Sequence, residues 1–115
     1  MRVLISIKPT LYREAIATAL RRDRPHLEVH TAAPVDVGSE VARFEPHLVF
    51  CNRATEKVRE SVPCWVEVAY EDSIDATASI NGEDSKIHDI AASDLLSIVD
   101  KVNKAIKSES LRELT

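Results

Sequence analysis

Short apolar runs alternate along this chain with polar segments whose apolar positions fall at helical spacing. Arg2 to Ile7 is a continuous apolar stretch stopped by Lys8-Pro9, the pattern of a strand buried on both faces. Thr10 then caps a predicted helix with Leu11, Ala15, Ile16, Ala19 and Leu20 on its core side. That helix ends near Arg24, because Pro25 disfavours helical geometry in the residue before it. A second strand follows over Leu27 to Thr31, with Leu27 and Val29 on one face. Pro34 marks a break, and Asp36 or Ser39 opens a short helix carrying Val41, Ala42 and Phe44. Pro46 ends it, and His47 to Cys51 reads as a third buried strand.

The second half has a different rhythm. A weak helical piece near Thr55 to Glu60 precedes Pro63 and a fourth strand, Cys64 to Tyr70. Trp65, Glu67 and Ala69 share one face of that strand, and Cys64, Val66, Val68 and Tyr70 share the other. A charge in mid-strand implies that one face or one edge meets solvent or a partner. Asn81-Gly82 is a two-residue hairpin signal, since both positions tolerate positive φ. With that turn Ile80 faces Glu83, Ala78 faces Ser85, and Ala76 faces Ile87. One face of the pair is then mostly apolar, and the other carries Thr77, Ser79, Asp84 and Lys86. Ser93 and Asp94 start a last helix with Leu95, Val99, Val102 and Ile106 on its core face. From Ser108 onward Leu111 and Leu114 fall out of phase with that face. The expected organisation is a single domain over 1–107 with a tail at 108–115.

A chain of 115 residues with 44% apolar and only 4% aromatic residues must build its core from aliphatic side chains. The net charge of −4 argues against a nucleic-acid binder. The one basic cluster, Arg21, Arg22 and Arg24, falls at a helix C-terminus, where cations complement the dipole. No apolar run approaches the roughly 18 residues that span a membrane, and no signal-peptide pattern opens the chain. A cytoplasmic protein is expected, with Cys51 and Cys64 reduced.

Reactive groups are sparse. Cys51 and Cys64 match no zinc spacing and no CxxC, so core packing is their expected role. His26, His30, His47 and His88 are scattered, without HxH or HxxxH spacing. His88 falls opposite Asp75 in the predicted hairpin, as a solvated cross-strand pair. Glu71, Asp72 and Asp75, with Asp84 and Asp89, form an acidic region able to collect a cation. Gly38 and Gly82 are the only glycines, which leaves no Gly-rich loop to cradle a phosphate.

Two segments carry a family likeness, RVLISIKPTLYREAIATAL at Arg2 to Leu20 and PHLVFCN at Pro46 to Asn52. They resemble the receiver domain of bacterial response regulators, with Pro9, Arg13 and Glu14 where that pattern places them. The resemblance covers about half of the chain. It implies a metal-binding acidic pair after the first strand and a phospho-accepting aspartate after the third. Here Ile7 and Lys8 stand at the pair and Asn52 at the acceptor. Magnesium wants oxygen ligands, and an amide is no nucleophile for phosphoryl transfer.

The fold expected is α/β, a three-layer flavodoxin- or receiver-like sheet of mostly parallel strands with a C-terminal antiparallel β-hairpin. The function expected is a non-catalytic, phosphorylation-independent pseudo-receiver that binds protein partners, a homodimer among them, without cofactor, metal, nucleic acid or membrane. Lys8, Asn52, Arg53, Glu71 and Asp72 line its vestigial pocket, with Lys8 in the metal's place holding the loops closed. Trp65 and Glu67 mark an interface, unless the last helix or the tail covers the tryptophan. The alternative is a small metal-dependent enzyme or ligand-binding protein using the acidic residues near the hairpin.

Overall fold

The structure, a computed structural model, describes residues 1–70 and 74–113. The strands are β1 (Arg2–Ser6), β2 (Glu28–Thr31), β3 (Leu48–Cys51), β4 (Cys64–Tyr70), β5 (Ile74–Ile80) and β6 (Glu83–Ile87). The helices are α1 (Thr10–Asp23), α2 (Val37–Phe44), α3 (Glu56–Ser61) and α4 (Ala92–Glu113), with a 3-10 turn at Pro34–Asp36 leading into α2. All six strands join one mixed sheet in the order β2-β1-β3-β4-β5-β6. The first four run parallel, while β4-β5 and β5-β6 are antiparallel.

The continuous apolar runs are explained by two cores, one on each face of the sheet. Val3, Ile5, Leu48, Phe50, Cys64, Val66 and Val68 pack with Ala17 and Leu20 of α1 and with Ile98, Val99 and Val102 of α4. Their neighbours Leu4, Val49, Cys51 and Trp65 pack on the opposite side with Val41 of α2 and Val58 of α3. A strand covered on both sides cannot alternate polar and apolar residues, so β1 and β3 read as unbroken hydrophobic stretches.

The inward stripe of α1 is rotated from the expected one. Ile16, Ala17 and Leu20 face the sheet, whereas Leu11, in the first turn, is 76% exposed. The last turn of α1 is anchored instead by Arg24, whose guanidinium makes two 2.9 Å bonds to the Asp100 carboxylate on α4. That pairing holds the Asp100 carboxyl below its ordinary range.

β5 begins at Ile74 and pairs with β4 along its whole length, a partnership that alternation alone did not announce. Between β5 and β6, Asn81 and Gly82 have φ of 51° and 87°, and the pairs are Ile80–Glu83, Ala78–Ser85 and Ala76–Ile87. Ala76 and Ala78 enter the α4-side core, with Ile74, Ile80 and Ile87 half-buried around it. β6 is exposed except at Ile87. α4 continues unbroken past residue 107, where the change of phase suggested a tail. Among the described residues no helix is long and apolar enough to cross a membrane.

Candidate functional site

In an open parallel sheet the crevice beyond the strand ends opens where successive connections leave in opposite directions. Here that point lies between β1 and β3, because β2 flanks β1 on one side and β3 on the other. The chain places Lys8, Asn52 and Arg53 there. Glu71 and Asp72 lie outside the described residues.

Asn52 is the hinge-pin of this region. Its Oδ1 accepts a 2.6 Å hydrogen bond from the Lys8 N–H, and its Nδ2 donates to the carbonyls of Lys8 and Val68, each at 3.4 Å. One half-buried amide thus ties the loop after β1 to the end of β4. The Lys8-Pro9 peptide is cis. Contact between Lys8 and Asn52 runs through the lysine's main chain, not its ammonium, which corrects the expectation that the charged end closes the loops. Lys8 itself is exposed.

A shallow cleft lined by Lys8, Thr10, Arg13, Pro34 and Asn52 opens on the α1 side. A second lobe, lined by Ser6, Val37, Cys51, Arg53 and Thr55, adjoins it through Lys8, Pro34 and Asn52. Among the described residues no carboxylate lines either lobe. Arg13 spans the first, donating to the Ala32 carbonyl and to Thr10 Oγ1, each at 3.2 Å. Ser6, 1% exposed, carries a hydroxyl with no hydrogen-bond partner at the floor of the second. Sequence reasoning passed over it, although a hydroxyl inside an otherwise apolar run was the available signal.

Cys51 has no nucleophilic character in this setting. Burial, reinforced by the Glu67 charge, pushes its thiol up to about 12, and its Sγ–H donates to the Val66 carbonyl at 3.6 Å. Cys64 is buried as well, in accord with a packing role.

Trp65 and Glu67 require a correction. Trp65 is only 6% exposed, packed among Val58, Val62 and Val41, with the Arg59 guanidinium 4.7 Å from its ring centroid. The cover over it comes from α3 of the same chain. Glu67 sits mid-sheet rather than at an edge, and its Oε2 accepts a 2.7 Å bond from the Ala54 N–H just ahead of α3. Arg59 stands 3.9 Å from the same carboxylate. These two residues therefore seat α3 on the sheet.

At the open end of the β5-β6 pair, away from the turn, His88 Nδ1 lies 3.2 Å from Asp75 Oδ1, the cross-strand neighbours the register predicts, and both side chains are solvated. Asp75 also accepts from the Asp89 N–H at 3.2 Å. Among the described residues no group of three His, Cys, Asp or Glu side chains is placed to hold a metal ion. The Arg21, Arg22 and Arg24 cluster is consumed locally, by the Val29 carbonyl, by Asp23 and by Asp100.

Comparison with protein-family models, with curated proteins and with solved structures gives no match.

Proposed function

We propose that this chain is a non-catalytic pseudo-receiver, a protein-interaction module of bacterial signalling or regulation that works without phosphorylation and associates with itself. The observation that carries this reading is the engagement of Asn52. At the position where the receiver pattern needs a carboxylate nucleophile stands an amide that both donates and accepts, fastening two loops. The residues preceding it in the pattern, Ile7 and Lys8, supply no oxygen ligand from their side chains for a hard cation.

The fold side of the proposal rests on strand order. The parallel part of the sheet runs β2-β1-β3-β4, the order with which flavodoxin-like sheets begin. The first and last helices share one face, and α2 and α3 share the other. On this reading Lys8, Asn52 and Arg53 belong to the vestigial pocket, while Glu71 and Asp72, the other two residues assigned to it from the sequence, lie outside the described residues. The β5-β6 pair replaces the end of the receiver pattern and gives the module a surface that receivers lack.

The test is a titration of the ¹⁵N-labelled protein with Mg²⁺ and beryllofluoride, a phosphoryl mimic. Amide signals of Lys8, Asn52 and Arg53 are expected to stay in place. Saturable, Mg²⁺-dependent shifts confined to those residues overturn the reading.

A further inference from the structure

β6 ends the sheet, among the described residues no strand pairs with its outer edge, and its sequence is self-complementary. A two-residue turn closes on Ile80 and Glu83 as a hydrogen-bonded pair, and such pairs alternate along an antiparallel ladder. Glu83, Ser85 and Ile87 therefore direct their main-chain groups toward β5, and Asp84 and Lys86 direct theirs away from the sheet. Both of these residues are exposed. Among the described residues neither takes part in an ion pair of its own chain.

The opposite edge differs at one carbonyl. On β2 the Glu28 N–H bonds Met1 and the Ala32 N–H bonds Ile5, so alternation turns the Val29 carbonyl outward. The Arg21 guanidinium occupies that carbonyl at 2.9 Å. A side chain thus takes up one outward acceptor of the β2 edge, and among the described residues none does so on β6.

We propose that β6 pairs antiparallel with β6 of a second copy of this chain, about a two-fold axis through Ser85, to give a continuous sheet across a homodimer. The proposal rests on the interaction-module reading and names the surface through which the module associates with itself. Register arithmetic selects this arrangement. Outward main-chain groups meet only when Asp84 and Lys86 of one strand lie opposite Asp84 or Lys86 of the other. An axis at Asp84 sets two carboxylates opposite each other, and an axis at Lys86 sets two ammonium groups opposite each other. An axis at Ser85 sets Asp84 opposite Lys86 twice, and opposite charges in facing positions stabilise a strand pair while like charges destabilise it. Charged residues on a strand edge ordinarily prevent pairing. One acid and one base placed symmetrically about a serine do the reverse for an identical partner. The side chains have room, because α2 and α3 pack on β1, β3 and β4 and leave this face of β6 uncovered.

Sedimentation velocity on the full chain, over a range from micromolar to millimolar, tests the proposal. The expected result is a concentration-dependent rise from 12.8 kDa toward twice that mass. Asp84→Lys alone and Lys86→Asp alone are each expected to remain monomeric. An equimolar mixture of the two variants restores a dimer, as does the double swap in one chain. Amide hydrogen exchange at Asp84 and Lys86 slows as wild-type concentration rises. A monomer throughout the range, single variants that dimerise like the wild type, or unchanged exchange at these two amides overturns it. None of those outcomes touches the beryllofluoride titration, so failure of the dimer is distinguishable from failure of the pseudo-receiver reading.

Discussion

The side chain of Asn52 bonds both main-chain groups of Lys8, accepting from its N–H at 2.6 Å and donating to its carbonyl at 3.4 Å. An aspartate is nearly the same shape but keeps only the accepting half of this arrangement. It also turns a negative oxygen toward the carbonyls of Lys8 and Val68. Asn52→Asp is therefore expected to lower stability by about 1–3 kcal/mol, measured by urea denaturation. Despite restoring the residue type that receivers phosphorylate, it gains no phosphoryl adduct from acetyl phosphate and Mg²⁺, as read by intact-mass spectrometry.

Ser6 presents the reverse case. Its hydroxyl is buried and unpartnered, so the folded state loses hydration there without recovering a hydrogen bond. Ser6→Ala is expected to raise stability by about 1 kcal/mol and leave the fold unchanged. A fall in the urea midpoint contradicts this.

His47 links the N-terminal strand to pH. Its Nδ1 accepts the Arg2 N–H at 3.0 Å, and this needs an unprotonated nitrogen. Burial, with the charges of Arg2 and the N-terminal amine, holds the imidazole below its ordinary value. A depressed folded value means that the unfolded chain binds the proton first. The stability contributed by neutral His47 is complete above about pH 6.5 and is lost as pH falls through the folded value. Urea midpoints of wild type and His47→Gln at pH 7.5 and 5.0 are expected to show a steeper loss for the wild type.

The thiols provide a test of the two cores. With Cys51 pushed up to about 12 and Cys64 buried, neither reacts with a disulfide reagent at pH 8 in the native protein. Both cysteines titrate in strong denaturant. Fast native reaction of either one means that the corresponding face of the sheet is open.

Much of this architecture was legible from the chain, for reasons that can be named. β1 and β3 announced themselves because both of their faces are covered, and the Ile80–Glu83 register followed from two residues that tolerate positive φ. The cover over Trp65 was not legible. α3 is six residues long and offers Val58 as its buried residue, too little periodicity to show that a helix reaches across β4. Glu67 misled for a related reason: its charge is used by the Ala54 N–H, a main-chain partner that residue types do not advertise. The same limit applies to Lys8, where the ammonium drew attention and the peptide group makes the contact.

Arg21 bears on how large an assembly can become. A sheet that is free at both sides adds copies without limit and yields filaments. With the Val29 carbonyl taken by Arg21, the β2 edge offers an incoming strand one acceptor fewer than the β6 edge does. Were β6 to pair as proposed, that difference would favour a closed pair of copies over a growing sheet.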